Sequence, residues 1–199
     1  MIFKLSKEHI REVANIDVIA RKGEFLPSLG SNFLFVLYST LIELDSVFGY
    51  VYKENSKVIG FVIGVTDTTG LFTKALLKNG LNIFIALLPR ILTNPLFLLN
   101  IIDTFLYPLR ENKIAIKPEL LVIGIDETHR KKGLGHVLVN ALNTHFSNTN
   151  IDIYKVTVTQ DNIFANNFYK KMGFVFKYSF LQYRKYWNLY SYNIKRENK

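Results

Sequence analysis

One stretch past the middle of the chain limits the fold more than any other. Leu120-Leu121-Val122-Ile123-Gly124-Ile125 carries no polar side chain. An apolar run of that length is a strand buried on both faces, so it belongs at the centre of a sheet. It leads through Asp126-Glu127-Thr128-His129-Arg130-Lys131-Lys132 to Gly133-Leu134-Gly135, and then into a helix expected over Gly133 to about Phe146. A strand, a basic glycine turn and a helix start make an anion site. The first-turn N–H groups of a helix lack internal partners, and the dipole places positive charge there. Gly133 and Gly135 let the main chain approach a phosphate closely. The turn lacks the spacing and the Lys-Ser/Thr pair of a P-loop, and it lacks the three-glycine pattern of a dinucleotide fold.

A second block follows. Ile153 to Thr159 reads as a strand, and Gln160-Asp161-Asn162 leads into a helix over Ile163 to Met172 that Asp161 or Asn162 can cap. Ala165 and Phe168 share one helical face, Gly173 suits the left-handed position after the helix, and Phe174 opens the next strand.

Together the two blocks resemble the GNAT superfamily of acetyl-CoA-dependent N-acetyltransferases. Arg130, Gly133 and Gly135 meet that family's cofactor loop, Arg/Gln-x-x-Gly-x-Gly/Ala. Asn162, Ala165, Phe168, Tyr169, Gly173 and Phe174 meet its later signature. The resemblance is specific over residues 119–174. It implies an α+β chain with the GNAT (acyl-CoA N-acyltransferase) fold: a mixed, mostly antiparallel central sheet flanked by helices. It also implies direct attack of an amine on the thioester of acetyl-CoA.

Site roles follow from the resemblance. The main chain of Arg130, Lys131, Lys132, Gly133, Leu134 and Gly135 would hold the pyrophosphate. Ile123 and Ile125 would pair with the pantetheine arm, and Asn162 would hydrogen-bond the cofactor. The Ile125 N–H is the expected oxyanion donor. Tyr169 is the expected general acid at the leaving sulfur, against the plainer alternative of a packed helix tyrosine. Glu119, at the start of the central strand, is the first candidate base, and Glu24 is the second. His129 and His136 are expected to face solvent or phosphate. The expected acceptor is a small-molecule amine such as an amino sugar or polyamine. The alternatives are a protein N-terminus or lysine, or a non-catalytic module that binds CoA or associates with a membrane.

The rest of the chain fits one domain over residues 1–199. A short strand at Ile2 to Leu5 precedes a helix capped by Ser6 and running to about Ala20. Gly23 and Pro27 mark a loop, and a helix follows from Ser31 to Leu44. Strands at Val47–Lys53 and Val58–Thr66 flank the polar turn Glu54-Asn55-Ser56-Lys57. Gly60 and Gly64 suggest a bulge or a close approach, and Gly124 suggests a bulge that aims Ile125. Later strands are expected over Phe174–Gln182 and Trp187–Ile194. Between the third and fourth strands lies an apolar helical insertion over residues 71–110, where the family's usual connection is short. Pro89-Arg90 and Asn94-Pro95 interrupt it, so two packed helices joined there are expected rather than a membrane span. Such a surface suits an interfacial membrane contact, a homodimer face or a lid over the substrate.

Composition bounds the remaining classes. Hydrophobic residues make up 49% and charged residues 21%, so the chain can build a core. With no cysteine, thiolate chemistry and disulfides are excluded. The net charge of +9 comes from scattered residues without a nucleic-acid fingerprint, so no nucleic acid is expected. No His/Asp/Glu cluster has ligand spacing, so no metal is expected. The N-terminus lacks a signal-like apolar run, which suggests a cytoplasmic protein.

Overall fold

The computed structural model describes residues 1–94, 98–101, 104 and 115–194. Seven strands form one sheet in the order β1-β2-β3-β4-β5-β7-β6. Their ranges are β1 Ile2–Lys4, β2 Val47–Glu54, β3 Lys57–Val65, β4 Glu119–Ile125, β5 Ile153–Thr159, β6 Val175–Gln182 and β7 Lys185–Asn193. Every neighbouring pair is antiparallel except β4 and β5. The sheet is therefore mixed and mostly antiparallel, as the GNAT resemblance implies, with the apolar run as its middle strand. Both two-residue turns, Asn55-Ser56 and Tyr183-Arg184, place both central residues at positive φ, as the twist of a tight hairpin demands.

Helices cover both faces. On one side lie α1 (Ile10–Ala20), α2 (Phe25–Ser28), α3 (Ser31–Leu41) and α4 (Leu71–Thr93); on the other lie α5 (Leu134–Asn148) and α6 (Ile163–Lys171). Strand alternation feeds both layers. Val51, Phe61, Ile63 and Val65 enter the first core, while Phe48, Val62 and Leu120 enter the second.

Three expectations about element boundaries change. Ser6 starts a 3-10 turn, Lys7–His9, ahead of α1, with its N–H donated to His9 Nδ1 at 3.2 Å. The Gly23–Pro27 loop contains the four-residue α2, because a proline in the first turn of a helix removes an N–H that would have no partner there. The third helix stops at Leu41, and Leu44 closes a turn back onto it at 2.9 Å.

Irregularities fall beside both Gly60 and Gly64, as expected, but not at Gly124: the β2/β3 register slips between Tyr52↔Gly60 and Lys53↔Val58. The β3/β4 register slips between Ile63↔Val122 and Gly64↔Leu120, which leaves Leu121 as the extra residue. Leu120 consequently points into one core and Val122 into the other, although they are two apart in one strand. Gly124 has a different task. A Cβ there would lie 2.5 Å from the Phe61 ring, so the position stays bare to admit the ring. Gly64 is a close approach too, with a virtual Cβ 2.6 Å from Phe48.

The described part of the insertion is helical, as expected, and the chain leaves the helix at Asn94, one of the two expected interruptions, but it does not break at Pro89. Helix α4 continues through Pro89 to Thr93; its irregular residue is Asn79 (φ −149°, ψ 36°), and Asn94 leaves the helix in an extended conformation. Asn79 donates from Nδ2 to Thr40 Oγ1 on α3 at 2.9 Å, which ties the kink to the domain. Residues 98–101 and 104 are again helical. Between these parts, α2 and α3 lies an apolar cavity of about 220 Å³, whose walls include Phe25, Leu29, Phe33, Leu37, Ile83 and Leu87.

Two glycines respond oppositely to an added methyl. Gly124→Ala should lower unfolding free energy by about 1–3 kcal/mol through overpacking against Phe61. A Cβ at Gly80 in α4 meets nothing within 4 Å, so Gly80→Ala should raise stability by roughly 0.5–1 kcal/mol. Urea denaturation of both variants against the parent checks the pair.

Candidate active site

Parallel pairing between β4 and β5 is confined to Glu119↔Lys155 and Leu120↔Val156. Beyond Leu120 the sheet opens. On the other edge of β4, Asp126 donates its N–H to Ile59 O at 2.9 Å. Alternation along the antiparallel ladder then turns the main-chain groups of Ile123 and Ile125 away from β3, toward the opening. An extended ligand can pair with them as a short extra strand.

Glu119 sits at the closed end of this wedge and is 2% exposed. Lys155 Nζ lies 3.8 Å from its Oε2, and Thr157 Oγ1 donates to its Oε1 at 3.4 Å. The strand-start glutamate is thus a buried partner of a buried lysine, placed by the two-residue parallel register.

At the open end, the chain turns through Asp126, whose side chain accepts from the Thr128 N–H, and a short 3-10 turn. The N–H groups of Lys131, Lys132, Gly133, Leu134 and Gly135 find no acceptor among the described residues. Lys131 (φ 61°) and Gly133 (φ 79°) are both left-handed, which curls consecutive amides into a concave, anion-binding nest at the start of α5. A lysine held at that φ is uncommon. Gly135 is bare for a different reason: a Cβ would lie 3.0 Å from the Phe168 ring on α6.

The Arg130 guanidinium reaches Ile125 O and Ala20 O, both at 3.4 Å, and so lies between the end of β4 and the end of α1. His129 is occupied by carboxylates, at 3.2 Å from both Asp126 and Glu54, so it does not stand ready for phosphate. His136 is exposed and packs edge-on to Phe168 at 5.3 Å.

Helix α6 brings Tyr169 to the wedge. Asn162 caps it, accepting the Ala165 N–H at 3.1 Å, which uses its carbonyl and leaves its NH₂ as a donor. Tyr169 is 4% exposed and packs on Phe168, Phe174 and Tyr190. Its hydroxyl makes no hydrogen bond among the described residues. Burial pushes its pKa well up, the Glu24 carboxylate adds to the shift, Arg21 opposes it, and Glu119 adds a little more. A tyrosine in this setting keeps its proton at neutral pH and is a donor.

Sequence reasoning missed what fixes this corner. Asp17, fully buried on α1, takes Arg21 Nε and Nη2 at 2.6 and 2.7 Å and the Tyr38 hydroxyl at 2.6 Å. Arg21 in turn donates to Glu24 Oε2 at 3.0 Å. Burial works against the Arg21 charge, but Asp17 and then Glu24 outweigh it, so the guanidinium stays protonated. Burial raises the Glu24 pKa, and Arg21 only partly offsets this. The four-residue spacing of Asp17 and Arg21 on an otherwise apolar helix face was the available signal. Asn166 was missed as well. Its Nδ2 donates to Thr159 O and Asn162 O, and its Oδ1 accepts from Asn188 and Tyr190, all at 2.8 Å, which locks α6 against β5 and β7. Its place one turn after the cap and three residues before Tyr169 was the clue.

Across the acceptor side, the α1–α2 loop and the β6–β7 hairpin meet. Phe25 packs on Tyr183 with ring centroids 4.9 Å apart, and Lys185 Nζ reaches Gly23 O at 3.4 Å and Asp161 Oδ2 at 3.1 Å. Among the described residues no group of three or more His, Asp or Glu side chains could hold a metal ion.

Comparison with known proteins agrees with this architecture. Residues 111–194 match the family model for the acetyltransferase (GNAT) domain. No curated protein sequence matches the chain. Among solved structures, Ard1 from Thermoplasma volcanium superposes with a TM-score of 0.62 at 17% identity, covering 98% of each chain. The ribosomal-protein-S18-alanine N-acetyltransferase from Escherichia coli gives 0.62 at 13% identity, covering 100% of this chain and 96% of that one. The PaiA N-acetyltransferase from Thermoplasma acidophilum, solved in complex with coenzyme A, gives 0.57 at 15% identity, covering 96% and 98%. The chain therefore has the fold of these acetyltransferases throughout, and its residues 111–194 are similar to the acetyltransferase (GNAT) domain.

Proposed function

We propose that the protein moves the acetyl group of acetyl-CoA to a primary amine of a small molecule. The observation that carries the cofactor half is the run of five open amides from Lys131 to Gly135, beside a strand edge on which Ile123 and Ile125 have no β5 partner. Diphosphate needs several fixed donors, and an amide-bearing arm needs a strand partner; both sit on one side of one cleft. Lys131 and Lys132 add charge at the rim, and the Asn162 NH₂ remains free to donate.

Acetyl-CoA would supply an activated acetyl thioester. The chain would do the rest. The Ile125 N–H, fixed at the end of β4, faces the opening as a donor for a carbonyl oxygen that gains charge. Tyr169 holds its proton in an apolar wall and can give it to a departing thiolate. The amine arrives protonated and must lose a proton. Glu24 is the better base of the two carboxylates. Burial raises its pKa, which makes it a stronger proton acceptor than a solvated carboxylate, whereas Glu119 lies beside the buried Lys155 ammonium. Glu119 then serves to hold the two strands together at the point where they part.

The contact of Phe25 with Tyr183, with Lys185 reaching Gly23 O, supports a small acceptor over a peptide. Those contacts bridge the groove in which an extended peptide would lie. Partly buried Glu24 beside Tyr169 gives that end an acidic character suited to a cationic amine.

Four measurements test the reading. In free-thiol release assays with a panel of amines, small cationic amines should turn over faster than peptides with free N-termini; the reverse order overturns the acceptor class. Tyr169→Phe and Glu24→Gln should each lower kcat by roughly 10²–10⁴, the usual worth of a positioned proton donor or acceptor. The Glu24 carboxyl accepts a proton only when ionised, so the parent's kcat/KM should fall as pH drops through its raised pKa. Glu24→Gln should lose that acid limb, which a pH–rate profile would reveal. Gly133→Val forces a β-branched residue into a left-handed position, and calorimetry should show acetyl-CoA binding weakened by at least about tenfold, with the sheet still folded by circular dichroism.

A further inference from the structure

Helix α4 is apolar on both sides. Its inner side contributes Leu71, Ala75, Ile83, Ala86 and Leu87 to the core. Its outer side carries Leu77 (84% exposed), Leu81 (74%), Phe84 (54%), Ile85 (53%) and Leu92 (80%). Past the Asn79 kink, Leu81, Ile85 and Leu92 recur at intervals of four and seven residues and make one stripe, with Leu77 before the kink and Phe84 at its edge. Leu98 and Leu99, just beyond, are also about half exposed. Aqueous domains seldom show so long an apolar surface without a use for it.

Length and composition would let α4 cross a bilayer. Its attachments argue for lying flat instead. The inner face is packed on α3, and Asn79 is hydrogen-bonded to Thr40, so the helix cannot leave the domain without losing core contacts. Charge then selects what covers the stripe. Residues 68–102 contain no Asp or Glu, while Lys74, Lys78 and Arg90 are exposed along α4. Glu43 on the domain side meets Lys78 at 3.5 Å, and among the described residues no carboxylate pairs with Lys74 or Arg90. The chain as a whole carries +9. A second copy would set this basic edge against an identical basic edge, whereas an anionic lipid surface complements it.

We propose that α4 is a monotopic membrane anchor: its Leu77–Leu92 stripe enters the interface of an anionic bilayer, with Lys74 and Arg90 against lipid headgroups. The anchoring is independent of the catalytic reading, since none of these side chains belongs to the cleft.

Flotation of the full chain with vesicles tests it. Vesicles of phosphatidylcholine with phosphatidylglycerol should carry the protein at least about tenfold better than phosphatidylcholine alone, and raised salt should weaken the binding. The double variant Leu77→Asp, Leu81→Asp should lose at least about tenfold in vesicle binding and keep the parent's acetyl-transfer rate toward a soluble amine, because both side chains are outside the core. Lys74→Gln with Arg90→Gln should weaken binding to the charged vesicles alone. Absence of flotation on both vesicle types overturns the proposal. So does unchanged binding by the double aspartate variant. A dimer in sedimentation velocity that this variant dissociates would assign the stripe to a second copy and likewise overturn it.

Discussion

Everything at the cleft depends on two strands that begin together and then part. β4 and β5 pair at Glu119↔Lys155 and Leu120↔Val156 and no further. At the next residue, Leu121, β4 bulges. A bulge adds twist and bends a strand, so it separates β4 from its parallel neighbour while the ladder with β3 continues. The separation exposes the edge of Ile123 and Ile125 inside a protected wedge rather than at the rim of the sheet. An open edge is ordinarily a hazard for aggregation; here it lies between two covered faces, where only a narrow ligand can reach it.

The closed end of that wedge is polar, and this has a physical cost. Glu119 and Lys155 are both almost fully buried. A buried ion pair adds little net stability, because desolvation consumes most of its attraction, but breaking it is expensive. It therefore acts as a register pin more than a source of stability. A one-residue slip of β5 would bury a lone charge. The Asp17–Arg21–Tyr38 cluster does the same for the α1–α2 corner and, through Arg21, fixes where Glu24 points.

The part of the fold that was legible in the sequence is the part whose determinants are local. The β4 turn, the α5 start and the capped α6 depend on glycines, a cap and periodic apolar residues within a few positions of one another. The turn from Arg130 to Gly135 and the helix that carries Tyr169 were legible for that reason. What escaped depends on distance or degeneracy. Leu120 to Ile125 is apolar throughout, so no alternation marks Leu121 as the extra residue. Asp17 and Tyr38 meet across 21 positions, and nothing in either neighbourhood announces the other. Pro89 read as a break, yet α4 absorbs it and bends at Asn79, where a tertiary hydrogen bond to Thr40 decides the matter.

The contact between Gly135 and Phe168 joins the amide nest to the helix that carries Tyr169. On the proposed function, one end of the cleft would hold an anion while the other presents a phenol, and this joint is solid packing without a hinge. The spacing between them is consequently a built-in gauge. A molecule with the right headgroup but an arm too short would leave its reactive end shy of the phenol, and one too long would have to buckle. On that reading, chain length more than headgroup chemistry would be the property by which this cleft sorts donors.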